Sequence, residues 1–286
     1  MRPHSPILPY LFLLPAAATL GLVVIYPALK AFGLSLTDFN MIREARWVGF
    51  DNYARLWSDP FFWNALKNSA LYVAVVVPVL VVAPLFLAVL VNRALPGITF
   101  IRAVLYLPVV TSLVVSALLW KWLYEERGLL NHFLLATGIT DQPVAFLTDP
   151  ANALFSVMAV TIWSGLGYYM VIYLAGLQSI PRSLYEAADV DGVSAWKQTL
   201  HITLPLLKPS AAVVTVMSSI AAMKVFEEVY VMTQGGPLDA SKTLVFHLYQ
   251  SAFEDFEMGY ASAVGVVLFF LTLALSLVNL RWLRAR

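Results

Sequence analysis

The sequence contains no cysteine, so disulfide bonds and thiolate-bound metal centres are excluded. It also lacks the Walker A pattern G-x-x-x-x-G-K-[ST], the zinc motif H-E-x-x-H and the C-x-x-C pair. The four histidines, His4, His132, His201 and His247, are far apart in sequence. We therefore expect no metal and no cofactor to be bound by this chain. If its function consumes ATP, another chain must hydrolyse it.

Charge is scarce as well. Asp, Glu, Lys and Arg make up 12% of the 286 residues, whereas hydrophobic residues make up 60%. Soluble domains carry about 25% charged and about 45–50% apolar residues. The mean hydropathy of +0.77 exceeds what a soluble core needs, so the excess apolar surface must face lipid. The formal net charge of +1 gives no indication of a nucleic-acid partner.

Long apolar runs are the main positive feature of the sequence. A bilayer core about 30 Å thick requires about 20 mostly apolar residues in a helix. Six segments meet or nearly meet this length, which predicts an all-α polytopic membrane protein. The expected spans lie in a single transmembrane domain (1–286) at 7–29, 69–92, 102–124, 151–179, 206–231 and 259–281, with a cytoplasmic loop at 180–205.

The N-terminus and the loop charges predict the orientation. Arg2, an apolar run and Ala16–Ala18 resemble a secretory signal peptide, but the run continues to Ala28, which is long enough to span. We therefore expect an uncleaved first helix. Cytoplasmic loops carry an excess of Lys and Arg, so both termini are predicted to be cytoplasmic. This orientation places the following residues inside: Arg2, Arg93, Arg102, Arg182, Lys197, Lys208, Arg281, Arg284 and Arg286.

The second cytoplasmic loop contains signals for a short helix. Pro181 and Ser183 favour a helix start, and Asp191-Gly192 is a turn signal that ends it. Glu186 would then stand beside two small residues, Ala187 and Ala188. On physical grounds alone, this helix is either a docking element for another protein or an amphipathic linker at the membrane surface.

The gapped pattern in this loop resembles a known motif. Glu186-Ala187-Ala188 is followed after three residues by Gly192 and after nine more by Ile202-x-Leu204-Pro205. This pattern is similar to the EAA motif of ABC importer permeases. The resemblance implies a coupling helix that sits in a cleft of a cytoplasmic ATPase. It assigns the polar contact to Glu186, the close-packed surface to Ala187 and Ala188, and the turn to Asp191 and Gly192.

Other segments extend the resemblance. Trp47–Tyr53, Leu174–Pro181 and Phe226–Pro237 resemble the corresponding segments of sugar permeases of the maltose and glycerol-3-phosphate type, apart from an extra Gln234. The resemblance implies the type I ABC importer permease fold in a bacterial or archaeal inner membrane. It also implies a second permease subunit, an ATPase dimer that binds ATP and Mg²⁺, and an extracytoplasmic sugar-binding protein.

Aromatic and hydroxyl side chains in the fourth span suit a carbohydrate path, because sugar C–H faces stack on rings and sugar hydroxyls need hydrogen-bond partners. Helix packing is the alternative explanation for such residues. The candidate path residues are Trp163, Ser164, Gly167, Tyr168, Tyr169, Tyr173, Glu227 and Tyr230.

Charges in the fifth span require an explanation, since each would cost roughly 2.5–3.5 kcal/mol at the bilayer centre. We expect Lys224 to lie near the outer surface and to pair with Glu227 or Glu228 at i+3 or i+4. Gly235, Gly236 and Pro237 follow as an outer turn that contacts the binding protein or gates the outer mouth.

The predicted function is the permease subunit of an ATP-driven carbohydrate importer, with no ATPase site of its own. A polyol or glycerol-3-phosphate remains an alternative substrate. A secondary transporter would use intramembrane carboxylates, which the charge-free first, second, third, fourth and sixth spans do not offer. An intramembrane enzyme would need a catalytic constellation, and none is evident.

Overall fold

The computed structural model describes residues 8–92 and 96–284, with side chains for 10–92 and 96–281. Arg2, Arg93 and Arg286, which entered the orientation argument, lie outside the described residues. In chain order the α-helices are α1 (Leu8–Leu20), α2 (Tyr26–Leu34), α3 (Asp51–Ser58), α4 (Pro60–Val91), α5 (Ile98–Val110), α6 (Leu113–Leu123), α7 (Leu129–Ala136), α8 (Ala153–Gln178), α9 (Arg182–Val190), α10 (Ala195–Gln198), α11 (Leu204–Leu206), α12 (Lys208–Met223), α13 (Glu227–Met232), α14 (Leu244–Tyr249) and α15 (Met258–Arg284).

The all-α prediction is confirmed for the described residues, where β-structure is limited to two isolated bridges. Five helical segments are long and apolar enough to cross a membrane: Tyr10–Leu34, Pro60–Val91, Ala153–Gln178, Lys208–Met232 and Met258–Arg281. A sixth span results if α5 and α6 are counted together. The second span begins at Pro60, a favourable first residue of a helix, rather than at residue 69.

The third span is bent. The axes of α5 and α6 meet at 97° across Thr111 and Ser112. Pro108 lies in the last turn of α5, and Thr111 has an extended backbone that stops the helix. Ser112 then starts α6, where its carbonyl accepts a hydrogen bond from the Ser116 amide at 2.9 Å.

The fifth span is interrupted as well. The helix α12 ends at Met223, Lys224 caps it, and α13 starts at Glu227. The expected ion pair of Lys224 with Glu227 or Glu228 is therefore wrong, since the described residues contain no such pair. The physical reason is the break itself, because i+3 and i+4 neighbours face each other only on a continuous helix.

Internal contacts divide the chain into two compact units. Unit 1 comprises Met1–Pro60 and His247–Phe270, and unit 2 comprises Phe61–Phe246 and Leu271–Arg286. The single-domain assignment stays a prediction. The core of unit 2 contains large, fully buried side chains from the second and fourth spans, among them Tyr72, Val157, Met158, Met170 and Tyr173.

Polar contacts organise the ends of the helices in each unit. In unit 2, Arg102 donates from Nε and Nη2 to the Val91 carbonyl at 3.1 and 2.6 Å, which satisfies the free carbonyl at the end of α4. In unit 1, Arg55 lies 2.7 Å from Glu257. The hydrogen bond to Glu257 raises the pKa of the Arg55 guanidinium above its ordinary value.

Candidate functional site: a cavity at two helix breaks and the loop after the fourth span

A cavity of about 390 Å³ lies in unit 2, and both helix breaks line it. Pro108, Thr111 and Leu113 contribute from the bend between α5 and α6. The interruption between α12 and α13 contributes the segment from Lys224 to Glu228. In a bilayer, irregular backbone is tolerated only where it is buried in protein or lines a water-filled cavity. In a membrane-spanning protein, the two breaks are therefore expected to face a space that water or a ligand can enter.

Four of the candidate path residues line this cavity: Ser164, Tyr168, Tyr169 and Glu227. Tyr168 is 38% exposed, whereas Tyr169 is buried. Their rings meet edge to face with centroids 5.2 Å apart. The wall thus combines an accessible aromatic face with hydroxyl and carboxylate groups, which is the chemistry expected for a polyhydroxy ligand.

The other four candidates lie elsewhere. Trp163 packs edge to face on Trp120, with ring centroids 5.5 Å apart. Tyr173 is fully buried and donates to the Val81 carbonyl at 3.0 Å. Tyr230 stacks on the Phe226 ring at 5.4 Å.

Gly167 has a packing role. A Cβ at this position would stand 2.3 Å from the Leu105 carbonyl oxygen, so the backbones of α5 and α8 approach each other too closely for any side chain. Gly167 therefore shapes the cavity by bringing two helices together rather than by lining it.

Sequence reasoning missed a buried polar chain beside the cavity. Tyr72 Oη lies 2.5 Å from Thr161 Oγ1, which donates to Glu228 Oε1 at 2.8 Å. These residues come from α4, α8 and α13 and are 89 and 67 positions apart in sequence. No local pattern connects them. The only sequence signal was the acid in an apolar span.

The short helix predicted in the loop after the fourth span is present as α9. Asp191 caps its C-terminus and Gly192 follows at φ +71°, a left-handed conformation that favours glycine. Glu186 and Ala187 are exposed, whereas Ala188 is buried within this chain. Ala187 therefore lies on the exposed side of α9, whereas Ala188 packs against other residues of this protein.

Side-chain hydrogen bonds join α9 to the segment that follows it. Tyr185 Oη lies 2.9 Å from Thr203 Oγ1, and Gln198 Nε2 donates to Asp189 Oδ1 at 2.6 Å. The remaining motif positions lie just beyond, at the approach to the fifth span. These are Ile202, Leu204 and Pro205.

The turn that follows α13 is held tightly. Gly235 has φ +79°, and a Cβ there would stand 2.8 Å from Phe246 Cε1. Ser241 Oγ donates to the Gly236 carbonyl at 2.6 Å. Gly236 and Pro237 line a second cavity of about 580 Å³ together with Lys121, Glu125 and Glu126.

Comparison with known proteins agrees with this architecture. Residues 60–285 match the family described as "Binding-protein-dependent transport system inner membrane component". The chain is 40% identical to the probable ABC transporter permease protein YurN of Bacillus subtilis (strain 168), covering 98% of this chain and 97% of YurN. It is 36% identical to the lactose transport system permease protein LacF of Rhizobium radiobacter, covering 97% of this chain and 94% of LacF.

A solved structure matches as well. A chain from the crystal structure of a bacterial ABC transporter involved in the import of the acidic polysaccharide alginate superposes with a TM-score of 0.84 at 26% identity. The match covers 97% of this chain and 95% of that chain.

The interrupted apolar spans around a cavity define a polytopic helical membrane protein, and the comparisons make it a transport permease. The chain belongs to the binding-protein-dependent transport system inner membrane component family, which comprises permease subunits of ABC importers.

Proposed function

We propose that this chain forms part of the translocation path of a carbohydrate importer and that the substrate passes through the cavity at the two helix breaks. The observation that carries this proposal is the meeting of both breaks at one cavity with aromatic, hydroxyl and carboxylate side chains. The relatives support a carbohydrate, since one is named for lactose transport and the solved transporter imports alginate. A polyol or glycerol-3-phosphate is the alternative substrate.

Purification of the whole transporter from its native membrane tests this proposal directly. Adding the binding protein with a panel of sugars and polyols should stimulate ATP hydrolysis for at least one carbohydrate. Stimulation by glycerol-3-phosphate alone would contradict it. Transport that continued after loss of the ATPase would instead favour a secondary transporter.

Replacing Tyr168 or Tyr169 with alanine should weaken transport, because each change removes an aromatic wall of the cavity. Aromatic contacts contribute about 0.5–1.5 kcal/mol beyond area burial, so we expect KM for uptake to rise roughly 2- to 12-fold. Tyr10→Ala provides a control, since Tyr10 is an exposed aromatic on α1. Unchanged uptake kinetics in both cavity variants would remove these tyrosines from the path.

We further propose that the exposed side of α9 docks into a cytoplasmic ATPase dimer that binds ATP and Mg²⁺. Support comes from the EAA pattern and from the exposure of Glu186 and Ala187. The family resemblance supplies the mechanism: ATP binding closes the dimer, and the coupling helices switch the cavity from inward-facing to outward-facing. A second permease subunit completes the path in a bacterial or archaeal inner membrane, with both termini of this chain cytoplasmic.

The turn after α13 is proposed to contact the extracytoplasmic binding protein or to gate the outer mouth. Gly235→Val should reduce ATP hydrolysis stimulated by the binding protein, because valine strains a left-handed backbone and clashes with Phe246. Gly138→Val is the matched control, since Gly138 has φ +70° but no neighbouring atom within 4 Å of its Cβ position. Equal stimulation in Gly235→Val and the natural protein would disprove the role of the turn.

A further inference from the structure

Glu228 is a buried acid in the wall of the cavity. Its exposure is 6%, whereas Lys224 and Glu227, which line the same cavity, are exposed. Among the described residues, no Lys, Arg or His nitrogen lies within ion-pair distance of its carboxylate. An ionisable side chain kept in a membrane span without a counter-ion points to a functional role.

The donor of each hydrogen bond between Tyr72, Thr161 and Glu228 can be assigned. The single Thr161 hydroxyl proton goes to Glu228 Oε1 at 2.8 Å, so Thr161 Oγ1 has only lone pairs left for Tyr72. Tyr72 must therefore donate to Thr161. Tyr72 is fully buried in α4, and Thr161 belongs to α8. The hydrogen bonds from Tyr72 to Thr161 and from Thr161 to Glu228 therefore anchor the Glu228 carboxylate to these two helices and fix it at the helix break.

Burial determines how strongly each charge in the cavity wall would act on a bound ligand. Two unit charges interact about four times more strongly at an effective dielectric constant of 20 than in bulk water. Lys224 and Glu227 have opposite charges, and both are exposed and therefore screened by solvent. In its ionised form Glu228 is therefore the least screened of the three charges lining the cavity, and a ligand there would feel its negative charge most strongly.

We propose that Glu228 is a specificity-determining residue of the path: positioned by Thr161 and Tyr72, it accepts hydrogen bonds from uncharged polyhydroxy substrates and disfavours anionic ones. Hydrogen bonds to an ionised acceptor are stronger than those between neutral groups, which favours hydroxyl-rich ligands. This inference rests on the proposed carbohydrate function and narrows its substrate class. Tyr72 is a positioning residue, because it acts through Glu228. Thr161 also positions Glu228, although it lines the cavity itself.

The test measures ligand binding to the intact transporter in nanodiscs without the binding protein, so that selectivity of the binding protein does not contribute. The neutral probes are lactose, maltotriose and raffinose, and the anionic probes are lactobionate and digalacturonate. We expect the natural protein to bind at least one neutral probe at least tenfold more tightly than either anion. Glu228→Gln keeps an acceptor for Thr161 but removes the charge, and should bring that ratio to within threefold.

The positioning residues have a different signature. Thr161→Val and Tyr72→Phe should lower affinity for the neutral probe threefold or more while the preference over anions persists, because the charge remains. Tyr260→Phe is the matched control, since Tyr260 is a buried tyrosine that donates to the Asp59 carboxylate in unit 1. It should leave both affinity and ratio unchanged.

Each outcome bears on a distinct claim. A neutral-to-anion ratio that Glu228→Gln does not change would overturn the inference and leave the carbohydrate function standing. If the natural protein bound an anionic probe more tightly than every neutral probe, the inference would likewise be overturned and the carbohydrate function would stand. Failure of the natural protein to bind any of the five probes would overturn this inference, whereas the carbohydrate function is decided by the ATPase stimulation test.

Discussion

Glu186→Lys is expected to abolish ATP-driven uptake while the protein still inserts and folds in the membrane. Glu186 is exposed on α9, so a longer side chain meets no obstacle within the chain. Truncating one partner of a buried interfacial charge pair costs about 2–5 kcal/mol, and reversing the charge adds repulsion. The affinity of the ATPase should therefore fall roughly 30-fold or more.

Two measurements check this expectation. Co-purification of the ATPase with the tagged permease reports docking, and uptake in membrane vesicles reports coupling. Asp141→Lys is the matched control, because it reverses an exposed acid on a different loop. Normal assembly together with normal uptake in Glu186→Lys would remove Glu186 from the docking surface.

Gly167→Val should destabilise the protein more than any other single change discussed above. Its Cβ would approach a backbone oxygen, that of Leu105, to 2.3 Å, and backbone cannot rotate away as a side chain does. Overpacking costs typically about 1–3 kcal/mol where the surroundings can adjust. At roughly 2–4 °C per kcal/mol, we expect Tm in detergent to fall by several degrees, with less protein in the membrane.

Gly165→Ala gives a close control for this change. Its Cβ would meet the two terminal methyl groups of Leu80 at 3.0 and 3.3 Å, and a leucine side chain can shift. Tm should therefore change little. Equal Tm values for Gly167→Val and the natural protein would show that α5 and α8 can separate freely.

Local features were predictable from the sequence because their determinants are adjacent in the chain. The helix α9 follows from Pro181 before it and Asp191-Gly192 after it, and the structure places both ends there. The apolar spans follow from composition in the same way. The helix breaks were not foreseen, although Pro108 and the charges after Met223 lie beside them.

Contacts between residues that are distant in sequence could not be predicted from local sequence patterns. The partners of Glu228 lie in two other helices, and no residue pattern specifies which faces of those helices meet. The same limit explains why the fourth-span candidates separate. Tyr169 lines the cavity and Tyr173 does not, because Tyr173 packs against the second span through Val81. Two residues on the same face of a helix can therefore contact different neighbours when they lie one turn apart.

The hydrogen bonds that join α9 to the start of the fifth span have a mechanical consequence. The Tyr185–Thr203 and Asp189–Gln198 hydrogen bonds tie α9 to the segment that leads into α12, so we expect α9 and that segment to move together. The helix α12 has 16 residues and at about 1.5 Å per residue is roughly 24 Å long. If α9 docks on the ATPase as proposed, a tilt of α12 at its α9 end would displace its other end, which lies beside the Lys224–Phe226 break in the cavity wall.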